Sequence, residues 1–352
     1  MNTQQLLFLI LLALGTMILY LLPFIPAFVE WKTKADSGPF QVNFQDRTIV
    51  DYCIRMFREY IDAHFGSLLE EYNHLNTDHE GKHVNGCEYY ITGKRGHITL
   101  PGGDVSCKKT NKIILICQPS VLPECMTFNN KIYARKSLET GVNNVLNEVM
   151  AEGDIELKPG GVVSKLLFSQ ATITVGDRCI LNGYTRALNK IHFLGHAQFQ
   201  YLYAPIIEFG DALIKPPEKA VNVFLDDMPR LISQYKLVIP KRTQLVSHIV
   251  AKESLVIEND CAIKGNIKCY NDVCIENNTS IIGAIFSEKD INISSGCFIQ
   301  GPIVAKGTIR IAENCVIGTR DDMTSLIAQT VIMSSGCCFS GLLLAKFDGA
   351  FK

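Results

Sequence analysis

The chain has almost no surplus of charge: 34 lysines and arginines face 35 aspartates and glutamates, a net charge of −1 over 352 residues. Nucleic-acid binding driven by phosphate neutralisation needs a basic excess, and this balance argues against it. Signatures of common catalysis are missing too. There is no phosphate-cradling loop, no nucleophile elbow and no carboxylate pair at a meaningful spacing. Pro101-Gly102-Gly103-Asp104 reads as a turn. Across residues 248–319 the apolar residues show no 3.6-residue spacing, which excludes a helical solenoid.

What is present is a period of eighteen residues, unbroken from His248 to Thr319. Ile249, Ile267, Ile285 and Ile303 mark its second column, and Ile257, Ile275, Ile293 and Ile311 its tenth. Smaller residues hold the fourth column (Ala251, Cys269, Ser287, Ala305) and the fourteenth (Cys261, Thr279, Cys297, Cys315). Apolar columns come in pairs two apart, and the pairs lie six apart. Side chains two apart share one face of a strand, so each period is one coil of three short strands. A fixed period of this length makes the chain mainly β, a triangular parallel β-helix whose coils share one core. Ile and Val suit such buried strands.

The pattern reaches beyond the strict block. Residues 324–341 form another coil after the insert Arg320-Asp321-Asp322-Met323, and residues 148–201 hold three more. The expected β-helix is therefore 148–352. Residues 211–236, with Pro216-Pro217 and the apolar stretch 221–225, read as a loop extruded from one corner, after which Leu237 resumes the coil.

Residues 6–28 carry no charge and are almost wholly apolar. About 20 residues at ~1.5 Å each match a ~30 Å hydrocarbon layer, and no Lys or Arg precedes them as in a cleaved leader. The expectation is a single-span transmembrane anchor over residues 1–30, with the membrane as a partner. Lys32 and Lys34 on its flank place the body in the cytoplasm by the positive-inside rule. Next, in a juxtamembrane region 31–86, Val50, Ile54, Phe57, Ile61, Phe65 and Leu69 make a helical stripe. Its expected use is an N-terminal helical cap docked on the first coil. Residues 87–147 hold short apolar runs interrupted by Pro101, Pro119 and Pro123, an irregular β lead-in.

Candidate chemistry is sparse. Of the 13 cysteines, Cys179, Cys261, Cys297, Cys315 and Cys337 occupy the inward fourteenth column and Cys269 the fourth, where Cys serves as a small buried hydrophobe; unpaired, they fit a reducing compartment. His74, His79 and His83 with Asp78, Glu80 and Cys87 sit close together, but Gly81 and Asn85-Gly86 favour a solvated linker over a metal site. His192, His196 and His248 read as surface histidines. No residue is nominated as catalytic, cofactor-binding or metal-ligating, and no cofactor is expected.

Cys261-Ala262-Ile263-Lys264-Gly265-Asn266-Ile267-Lys268-Cys269, followed by Val273-Cys274-Ile275, resembles the bactofilin repeat, and Ile299-Gln300-Gly301-Pro302-Ile303-Val304-Ala305 repeats it. The resemblance covers residues 247–346 well and 148–210 loosely. It implies a right-handed β-helix that assembles end to end without nucleotide. By that resemblance the chain is a non-enzymatic structural scaffold at the bacterial inner membrane. It would self-associate or recruit a protein partner, for instance through residues 211–236. The membrane span, the insert and the large N-terminal region depart from the family, and a cap there would block growth at one end. The rival is a hexapeptide-repeat acyltransferase with a left-handed β-helix, for which His192 or His248 would have to serve as the base. A third reading is a membrane-tethered adaptor.

Overall fold

Residues separated by one coil lie side by side in parallel strands. Ile155 pairs with Ile173 and Ile173 with Ile191; further on, Ile249, Ile267, Ile285 and Ile303 form one ladder. The computed structural model describes residues 15–17, 20–25, 45–100, 108–211 and 228–352, and its strands wind into a β-solenoid of about 13 turns. Inward columns are closed to solvent: Ile257, Ile275, Ile281 and Ile299 are 0% exposed. Each such side chain contributes roughly 1.5–3 kcal/mol of burial before ordering entropy is counted.

The coils begin well before residue 148. Glu88–Thr92 pairs in parallel with Ile113–Ile116, and that strand pairs with Thr127–Ala134, in the ladder that continues through Val145–Ala151. Ile91 is opposite Leu115, a longer coil than eighteen residues, and this offset hides the period there. Residues 101–107, including the expected turn at 101–104, lie outside the described residues.

The solenoid does not run in one direction. Its first block ends in Ala197–Phe209 and its second in Cys337–Phe351, and these two strands pair antiparallel. Ala197 meets Phe351, Leu202 meets Leu343 and Ile207 meets Phe339, one pairing on each of the three faces. The two blocks therefore join tail to tail, and their first coils lie at opposite ends of the rod. Phe193, Phe209 and Phe351 pack across the joint, the first two stacked at 5.0 Å and the last two edge-on at 5.5 Å. Arg230–Ser233 pairs with His248–Ala251 in the second block's first coil, remote from Phe209. The segment expected as a loop from one corner instead joins the middle of the rod to its far end. Residues 212–227 lie outside the described residues, and the twenty residues 210–229 between the two strands, at ~3.3 Å each, suffice to reach past six coils of ~4.8 Å.

Helix α1 (Gln45–Tyr72) is not an end cap. Phe57, Ile61, Phe65 and Leu69 are at most 3% exposed and pack on the outside of the first block, against Ile91, Leu115, Met150 and Phe168. Val50 reaches Tyr201 of the first block and Leu342 of the second. Charge pairs pin both ends of the contact, Asp51 to Arg186 and Glu70 to Arg135. A helix of ~42 Å lies along strands that together rise ~34 Å. It splints the rod lengthwise and bridges the joint.

The expected anchor over residues 6–28 is corrected. Only fragments of it are described, among them the 3-10 turn Leu22–Phe24, in which Pro23 lacks the amide hydrogen a continuous helix needs. Among the described residues no helix is long and apolar enough to cross a membrane, so the single-span anchor is not supported. Lys32 and Lys34, on which the orientation rested, lie outside the described residues.

Two substitutions check the coil. Ile275→Asp buries an unpaired charge in a fully closed column and should abolish cooperative unfolding or cost more than ~4 kcal/mol in denaturant titration. Gly283 has φ 145°, and a Cβ there would strike the Gly265 carbonyl of the coil beneath. Gly283→Ala should lose about 1–3 kcal/mol by the same measurement. An unchanged midpoint for either variant contradicts the assigned register.

Candidate interaction surfaces

The histidine- and cysteine-containing stretch is a hairpin, not a solvated linker. Asp78–Lys82 pairs antiparallel with Glu88–Thr92. Asp78 accepts a hydrogen bond from Thr92 at 2.6 Å and pairs with Lys94 at 2.7 Å, while Glu80 pairs with Lys112 at 2.6 Å. The His83 ring packs on His64 and Phe65 at 4.9 and 5.2 Å. Among the described residues no group of three His, Cys, Asp or Glu side chains is arranged to hold a metal ion. His248 is buried rather than exposed: its Nδ1 accepts the Asn266 N–H at 3.0 Å. His196 stays exposed, 3.4 Å from Asp177, and His192 is half-buried on an outward column.

The interior thiols do more than fill space. Cys261, Cys297, Cys315 and Cys337 donate S–H to a corner carbonyl of the preceding coil, at 3.2, 3.2, 3.1 and 3.0 Å. Thr279, in the same column, does so through Oγ1 at 3.2 Å. Cys269 and Ser287 serve the next corner, on Glu253 and Asn271 at 2.9 and 2.6 Å. Where Cys, Thr or Ser stands in these columns, its small side chain thus supplies a donor to a corner carbonyl whose burial without a partner would be costly, while Ala251 and Ala305 in the fourth column fill space alone. The alternation of Cys with Thr and Ser carried that signal in the sequence.

Two outer surfaces remain. The first is a groove of about 1090 Å³ between α1 and the corner where the long strands bulge. Register shifts between Val163 and Leu166, Leu181 and Tyr184, and Ala328 and Thr330 turn the residues between them outward, so that they form its floor. Tyr52, Cys53 and Met56 of α1 make one wall, and Tyr201, Leu344 and Ile327 face them. Lys131, Lys165, Lys306 and Lys346 stand around it with one carboxylate, Glu148, which pairs with Lys131 and lies 3.7 Å from Lys165.

The second surface is the open head of the second block. Arg230–Ser233, Leu237–Ile239 and Gln244–Val246 each pair on one side only among the described residues. Ile232, Val238 and Val246 are 44, 44 and 56% exposed there. Residues 229–246 include Arg230, Lys236, Lys241 and Arg242 and no acid. The opposite head carries the hairpin strand Asp78–Lys82 on its edge. The chain matches no family model, no curated protein and no solved structure.

Burial pushes the Cys117 and Cys179 thiols up to about 11 and Cys338 to about 12, from an ordinary 9.0. A raised folded value stabilises fully below the unfolded value and is lost above it, so stability should fall as pH climbs from about 9 towards about 12. Equilibrium unfolding across that range checks this, and a flat profile contradicts it. In the native state at neutral pH these three thiols should also resist an aromatic disulfide reagent.

Proposed function

We propose that the chain is a non-enzymatic, bactofilin-like scaffold that recruits partners to a rod instead of growing into a filament. The observation that carries this reading is the tail-to-tail joint, which consumes two solenoid ends inside one chain. The hairpin occupies one edge of one head, where Gly96–His97 and Lys109–Thr110 still pair on one side only, so among the described residues the second block's head is the one open on all three edges. A second copy would bring Arg230, Lys236, Lys241 and Arg242 against the same four residues, and like charges across an edge oppose pairing. An extended acidic segment suits that edge: its backbone pairs with the free strand while its carboxylates meet the basic side chains. The interior, filled with aliphatic side chains, supports a mechanical role over a chemical one.

Light scattering and negative-stain microscopy of the full chain should give single rods on the order of 60 Å long at low and high salt. Filaments at either salt would overturn the reading. A peptide alternating Val with Asp should bind, a Val–Lys peptide should not, and Lys241→Glu with Arg242→Glu should weaken the acidic peptide about tenfold. Equal binding of both peptides contradicts the assigned partner.

A further inference from the structure

We infer that the groove beside α1 binds a single-chain anionic amphiphile of the fatty-acid class. Its walls are apolar where large side chains are nonetheless open to solvent: Tyr52 and Met56 are 53 and 44% exposed, facing Ile327 and Leu344. A volume of about 1090 Å³ accommodates one small-molecule ligand. The floor crosses six strands, from Val162–Ser169 through the joint to Ile303–Ala305, about 24 Å at ~4.8 Å per strand. That is the scale of one extended long-chain acyl group.

The rim specifies the head group. Lys165, Lys306 and Lys346 stand at the edge of the groove; Glu148 is held between Lys131 and Lys165, and Lys306 pairs with Glu288 at 3.4 Å, so the four lysines including Lys131 are met by these two carboxylates. The surplus is positive beside an apolar trough, so a carboxylate on an acyl chain satisfies both parts. The helix walls the trough on one side, and a flat bilayer does not enter it; a free molecule does. The chain's own apolar residues Met17, Tyr20 and Phe24 do not line it and are 62, 80 and 60% exposed.

The test uses the full chain and a dansyl-labelled undecanoic acid as fluorescent probe. Oleate should displace the probe with a Kd of about 1 µM, and oleyl alcohol should be about tenfold weaker. Lys165→Glu with Lys346→Glu should weaken oleate about tenfold and leave the alcohol unchanged. Met56→Asp, at an exposed helix position, should abolish both while the melting temperature stays put. No binding of oleate, equal binding of acid and alcohol, indifference to these substitutions, or capture by phosphatidylglycerol vesicles without binding of free oleate each overturns the assignment.

Discussion

The end of a solenoid presents unpaired backbone groups and half-covered aliphatic columns, and most of this architecture follows from how two such ends are disposed of. The last coil of each block pairs antiparallel with the other on all three faces. Every inward column therefore continues through the joint, from Leu202 to Leu343 and from Ile207 to Phe339, without meeting solvent. The arrangement removes two edges at once and leaves the blocks' first coils outermost. Aromatic packing of Phe193, Phe209 and Phe351 fills the centre, where the ladder changes direction and identical residues no longer stack.

The helix depends on that joint as well. Because the two blocks form one continuous face, α1 can lie along the first block and still touch Leu342 beyond the boundary. Its contact explains why strands such as Ile113–Ile116 are buried on both sides. Where the helix stripe ends and the corner bulges begin, its flank and the sheet diverge. The groove is a consequence of that divergence, and the lysines around it come from bulge and corner positions that no core requirement dictates.

How much of this was legible in the sequence can be followed residue by residue. The isoleucine columns announced coil length and inward faces, because stacking identical side chains leaves a strict period. Residues 87–147 escaped recognition for a physical reason: the helix covers their outer face, so Ile113, Ile114, Leu115 and Ile116 are all buried and the alternation that marks a coil disappears. The hydrogen-bonding duty of Cys261 and its column was masked by the apolar character of the thiol. The direction of the second block was not legible at all, since a period repeats identically whichever way the coils are stacked. His248 looked exposed because its partner, the Asn266 amide, lies one coil away.

The joint itself is open to a direct measurement. Gln198 and Ala350 are paired across it, whereas a rod running in one direction would stack Gln198 beside Gln244. Paired strand residues have Cα atoms about 4.5–5.5 Å apart, within reach of a disulfide. Oxidation of Gln198→Cys with Ala350→Cys, followed by peptide mapping under non-reducing conditions, should give an intramolecular 198–350 crosslink. Failure of that crosslink, together with its formation in Gln198→Cys with Gln244→Cys, would mean that the blocks do not meet at their tails.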